Sequence, residues 1–129
     1  LGASESVLLD TQSNLAITYQ MLGQAEKALS TRRDIYSGWL KLQGEENAYT
    51  LREASNLAYA LVSLVRFDEA KALLRRMMPV ARRVLGDSHD LNLKMRWIYA
   101  EALYKDTSAT LDDLREAVTT LDYVAVSHK

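Results

Sequence analysis

Hydrophobic residues in this chain return at intervals of three and four. Leu51, Ala54, Leu57, Ala58, Leu61 and Val65 fall on one helical face, and Ala70, Leu74, Met77, Ala81 and Val84 follow the spacing 4, 3, 4, 3. That period belongs to α-helices with one buried face. Similar stripes are formed by Leu15, Ala16, Tyr19 and Leu22, by Ala28, Ile35, Trp39 and Leu42, and by Leu114, Ala117, Val118, Leu121, Val124 and Ala125. The pattern predicts helices over about 6–22, 26–42, 48–64, 68–84, 90–105 and 110–127. Gly44 and Gly86 stand where helices should end in a left-handed cap. Asp68 and Thr110 fit N-caps, and Asp113 after Thr110 resembles a capping box with Asp in place of Glu. Pro79 removes a hydrogen bond inside the fourth helix, which must kink there or divide in two.

The stripes repeat in register. Asn14-Leu15-Ala16 returns 42 residues later as Asn56-Leu57-Ala58. At the same shift Leu9 meets Leu51, Ala28 meets Ala70, Arg33 meets Arg75 and Gly44 meets Gly86. A third copy continues with Leu93, Ala100, Ala102 and Leu103 and then slips by about five residues, so that Asp113-Leu114-Arg115-Glu116-Ala117 answers Phe67-Asp68-Glu69-Ala70. Residues 106–110 are therefore read as a longer loop. The expected fold class is all-α: a right-handed helical-hairpin solenoid of three units and six helices, with units at about 6–44, 48–86 and 90–127. A two-helix unit cannot bury its apolar face alone, so stacking must supply the core. The outer faces of the end units should be partly apolar, to be covered by further repeats or by another subunit.

Two-helix units with small Ala residues at crossings and Gly after the second helix resemble tetratricopeptide repeats (TPR). The 42-residue period, Asn-Leu-Ala in the first helix and Leu85-Gly86-Asp87-Ser88-His89-Asp90 at the junction resemble the kinesin-light-chain type. The first junction, Gln43-Gly44-Glu45-Glu46-Asn47, lacks the His, and Asp90 stands where that type has Pro. The resemblance implies a concave surface lined by the first helix of each unit. The candidate partner-binding residues are then Asp10, Ser13, Asn14, Ile17 and Met21, followed by Arg52, Ser55, Asn56, Tyr59 and Ser63. The third unit adds Lys94, Trp97, Ile98, Glu101 and Lys105. Asn can bond both the N–H and C=O of a peptide backbone; Asn14 and Asn56 have the alternative of bracing their own helices. Trp97 has the alternative of an inter-repeat contact, and Trp39 is placed in the core. The implied partner is a protein or peptide in the groove. The alternatives are an architectural subunit of a larger assembly and the regulatory repeat segment of a larger signalling ATPase.

Composition narrows the chemistry. Sixteen Lys and Arg against 17 Asp and Glu give a net charge of −1, so neither nucleic acid nor an anionic membrane surface is an expected partner. The basic cluster Arg75, Arg76, Arg82 and Arg83 is accordingly read as a solvated outer face. No apolar run reaches the length of a membrane span. The absence of cysteine excludes disulfides and thiol chemistry and is compatible with a cytoplasmic location. His89 is placed as a brace for its turn, far in sequence from His128. No phosphate loop, nucleophile elbow or metal-ligand spacing occurs. The chain is expected to be a non-enzymatic scaffold without cofactor and, as it begins with Leu1 and lacks an initiator Met, is expected to be a fragment or processed product.

Overall fold

In the computed structural model, which describes residues 3–127, the chain folds into six helices: α1 (Ala3–Met21), α2 (Ala25–Gln43), α3 (Ala48–Ser63), α4 (Phe67–Leu85), α5 (Asp90–Tyr104) and α6 (Leu111–Ser127). No strand occurs among the described residues. Each helix packs on the next in sequence, so the chain forms three α-hairpins stacked in order. This is an all-α array of stacked helical hairpins. His128 lies outside the described residues, as do Leu1 and Gly2.

The core is centred on the second hairpin. Leu51, Leu61, Leu74 and Met77 have no solvent exposure, and α5 adds Met95, Ile98 and Leu103, equally buried. Ala54, Ala58, Ala70, Ala81, Ala100 and Ala102 are also inaccessible, because helices approach closely only where side chains are small. A smaller cluster of Leu9, Ala16, Ile35 and Trp39 joins α1 to α2.

The predicted stripes are buried along most of the middle hairpin and uncovered at helix ends and on the outer hairpins. Leu15, Leu22, Leu42, Val65, Val84, Leu114 and Val118 all stay exposed. Pro79 does not divide its helix, since α4 runs unbroken from Phe67 to Leu85. It sits on the exposed side, where water can bond the carbonyl it leaves free.

The ends of the helices are set by local chemistry. Thr110 Oγ1 accepts from Asp113 N–H at 3.1 Å while Asp113 Oδ2 accepts from Thr110 N–H at 2.9 Å, a reciprocal capping box. Those bonds hold the Asp113 carboxyl below its ordinary range. Asp68 is not an N-cap: α4 begins at Phe67, and Asp68 stands in its first turn. Asn47 caps α3, accepting from Tyr49 N–H at 2.8 Å, and His89 caps α5, its Nδ1 accepting from Leu91 N–H at 3.1 Å. The two caps are 42 residues apart, so Asn47 does at the first junction what His89 does at the second.

Gly44 and Gly86 end α2 and α4 with φ of 78° and 94°. Their ψ values of 172° and 157° put them in an extended mirror region and not in the left-handed helical cap. Only glycine enters that region readily.

Gly23, between α1 and α2, has φ of 74°, and its counterpart one repeat later is Val65 with φ of 63°. A β-branched side chain there crowds the backbone. Val65 is 69% exposed and has no packing role that would demand it. Val65→Gly is therefore expected to stabilise the fold by about 1 kcal/mol, as strain relief outweighs glycine's greater unfolded-state entropy. A thermal melt should show a midpoint higher by roughly 3–5 °C. A lower midpoint would show that the strain is not expressed as a stability cost.

Candidate functional site

α3 occupies the middle of the face formed by the first helices of the hairpins. Tyr49, Arg52, Asn56, Tyr59 and Ser63, spaced 3, 4, 3 and 4, make one continuous stripe along it. Two hollows flank this stripe. The first, about 430 Å³, lies between α1 and α3 and is floored by Ala28 and Arg32 of α2. Ile17 and Met21 form part of one wall, Asn56, Tyr59 and Ser63 part of the other, and Lys94 reaches its edge from α5. The second, about 540 Å³ and more apolar, lies between the start of α3 and the start of α5. Tyr49, Arg52, Leu85, His89 and Leu91 contribute to it, and Lys94 borders both hollows.

The first hollow exists because the hairpins are not stacked evenly. α3 packs directly on α5, but α1 does not reach α3 among the described residues. Side-chain chemistry accounts for the difference. The position occupied by Asn56 in α3 is held by Ile98 in α5, which is wholly buried. An isoleucine gains by closure of the neighbouring helix, whereas an amide would have to lose its water. Beside Asn56 lies Glu53, a carboxylate only 3% exposed. It sits 3.7 Å from Arg32 Nη1 and 3.4 Å from Arg52 Nη2. Asn56 Nδ2 donates to it at 3.4 Å. Arg32 Nη1 is buried without a hydrogen-bond acceptor. Closing α1 onto this polar group would cost its desolvation, which favours an open slot between α1 and α3.

Six of the expected groove residues, Ile17, Met21, Asn56, Tyr59, Ser63 and Lys94, come together around the first hollow. Arg52 belongs to the second, where its guanidinium lies 5.0 Å from the ring centre of Tyr49. Ser55, Ile98 and Glu101 do not face the groove and correct the sequence expectation. Ser55 and Ile98 are fully buried and Glu101 is 6% exposed. The close packing of α3 on α5 is what removes such positions from the surface. Glu101 is held instead by the ammonium of Lys105, which it keeps above its ordinary range. Asp10, Ser13, Asn14 and Trp97 line neither hollow; Trp97 is nonetheless 42% exposed. Trp39 is buried, as expected, and stacks on Tyr49 with centroids 5.0 Å apart. Arg32, Gln20 and Tyr49 are lining residues that helical periodicity in the first helices did not mark. Arg32 sits on a second helix and lines the slot, as Ala28 does, because α2 forms the floor between α1 and α3.

The opposite surface is laced by ion pairs between successive second helices. Arg33 grips Glu69 through both guanidinium nitrogens and holds its carboxyl below the usual range. Arg66 donates to Glu26 at 2.8 Å. Arg75 Nε donates to the Tyr99 hydroxyl at 2.9 Å, and that hydroxyl donates to Glu116 at 2.6 Å. Burial and the Glu116 bond push the Tyr99 phenol up from its ordinary value. The remaining arginines of the basic cluster face Glu45, Asp87 and Glu46 respectively. The cluster is thus neutralised within the fold. Among the described residues no group of three His, Cys, Asp or Glu could hold a metal ion, and no helix is long and apolar enough to cross a membrane.

Residues 50–90 match the tetratricopeptide repeat family. The match takes in α3 from Thr50 onward, α4 and the junction through His89 to Asp90, which is nearly the whole second hairpin. No curated protein matches the chain.

Proposed function

We propose that this chain is a protein-interaction scaffold that holds an extended segment of a partner polypeptide along α3, with its main grip in the slot between α1 and α3. TPR repeats are in general protein-protein interaction modules. The observation that carries the specific reading is the slot itself, open on one side and lined by apolar and polar groups in separate patches. Ile17 and Met21 would take an aliphatic side chain. Lys94, which has no ion-pair partner among the described residues, would take a carboxylate. Among the described residues the carbonyl oxygen of Asn56 has no internal hydrogen bond, and it would accept from a backbone N–H. The stripe from Tyr49 to Ser63 is about 21 Å long, enough for roughly six residues of extended peptide. The favoured ligand is therefore a short acidic and aliphatic segment. We also read the three hairpins as one domain of the long-period, kinesin-light-chain-like type, on the strength of the Asn-Leu-Ala recurrence and the His89 junction.

The test is affinity capture from cell extract with quantitative mass spectrometry. The wild-type chain is run beside Ile17→Glu/Asn56→Ala/Tyr59→Ala and beside Arg76→Glu, which alters the opposite face. Ile17 and Tyr59 are exposed and Asn56 is half-buried, so the triple variant should fold. Specific partners should fall at least about tenfold with the triple variant and persist with Arg76→Glu. Partners held equally by all three proteins would remove the slot as the binding site.

A further inference from the structure

The ion pairs between successive second helices follow a register, and the register continues past both ends of the described fold. In α2 the cation is Arg33 and in α4 the carboxylate is Glu69. One step on, Arg75 of α4 is joined through Tyr99 to Glu116 of α6. At this register the earlier helix supplies the cation and the later helix the anion, whereas the neighbouring pair of Glu26 in α2 with Arg66 at the head of α4 runs the other way.

Carrying the alignment forward, the α6 position that answers Arg33 and Arg75 is Asp122. Carrying it back, the α2 position that answers Glu69 and Glu116 is Lys27. Both ends are inverted. Neither residue has an ion-pair partner among the described residues, although the Lys27 ammonium lies 5.8 Å from the ring centre of Tyr19. A further hairpin of the internal type would set a carboxylate against Asp122 and a guanidinium against Lys27. A second copy of this chain presents Lys27 at the position that would face Asp122, and Asp122 at the position that would face Lys27.

The apolar positions agree. In α2, Leu29 is buried against the second hairpin; its counterpart in α6 is Val118, 59% exposed and beside Leu111 and Leu114, which are 62% and 41% exposed. In α3, Thr50 and Leu57 are buried; their counterparts in α1 are Leu8 and Leu15, 57% and 43% exposed. Each end therefore shows the apolar half of the contact that the interior has completed.

We propose that two copies of this chain stack head to tail, with the α6 face of one seated on the α1–α2 face of the next and Asp122 paired with Lys27 across the junction. The contact repeats the internal stacking step, so it is heterologous and leaves a free face at each end of the pair. Copies can add further, and the slot between α1 and α3 would recur along the array.

Sedimentation velocity over about three decades of protein concentration tests the proposal. The wild-type mass should rise with concentration and fall with added salt. Lys27→Glu and Asp122→Lys should each weaken association roughly fivefold, and the double variant, which rebuilds the pair with its polarity reversed, should return to within about twofold of wild type. Leu15→Glu and Val118→Glu should each be monomeric, while their equimolar mixture forms a dimer through the one unblocked face of each. All four residues are exposed, and circular dichroism checks that the variants fold. A wild-type chain that stays monomeric throughout, a double variant no better than either single one, or a closed dimer indifferent to Leu15→Glu and Val118→Glu would each overturn the proposal. A monomer would assign the two faces to other chains or to further repeats.

Discussion

Leu74→Ala is expected to lower the unfolding free energy by about 3–4 kcal/mol. Leu74 has no exposure and belongs to the cluster that joins the second hairpin to its neighbours on both sides. Removing its isobutyl group forfeits transfer free energy and leaves a cavity that rigid flanking helices fill only in part. A domain of this size has roughly 5–15 kcal/mol in total, so the variant should lose about a fifth or more of its stability. Leu42→Ala is the control: Leu42 lies on a predicted stripe but is 47% exposed, and its truncation should cost under about 1 kcal/mol. Urea titrations of both variants give the comparison. A loss below about 1.5 kcal/mol for Leu74→Ala would mean that the core is not centred where the fold places it.

The second large effect concerns the ionic group under the slot. Glu53→Ala should cost about 2–3 kcal/mol, because it strands Arg32, whose Nη1 is already buried without an acceptor. The effect is placed below the roughly 3–5 kcal/mol of a fully buried pair, since Arg32 keeps 18% of its side chain in contact with solvent. The double variant Arg32→Met/Glu53→Leu removes the stranded charge and should recover most of that loss. A double-mutant cycle by thermal or urea unfolding reads the coupling. Strict additivity of the two single changes would show that the pair contributes nothing as a pair. The double variant would also make the slot apolar, which links the stability measurement to the binding reading.

The helices were legible because their evidence is local. A period of three and four residues needs no knowledge of the partner surface, and the capping box at Thr110 and Asp113 lies within four residues of chain. The 42-residue shift also held the cap at Asn47 in plain view, opposite His89, although it was not drawn out from the sequence. What escaped was anything decided by the distance between helices. Ser55 and Glu101 sit at positions that face outward on an isolated helix and are covered only because α5 closes on α3. Arg32 lies on a second helix and becomes a groove residue because α1 stands off α3 and leaves α2 as the floor of the slot. Val65 looked like one more member of an apolar stripe. Its position one residue past Leu64, the end of the helix, instead requires a backbone that valine adopts at a cost.

The difference between the two seams has a mechanical meaning. The second and third hairpins, locked by direct contact of α3 with α5, act as a stiff palm. α1 is tied on only through α2, with Leu9 and Ala16 as its buried side chains among the described residues, and behaves as a thumb. A segment gripped in between would draw the thumb down, so affinity and the ordering of α1 are one equilibrium read from two sides. Amide hydrogens of α1 should then exchange fastest in the empty molecule and slow most when the hand is full.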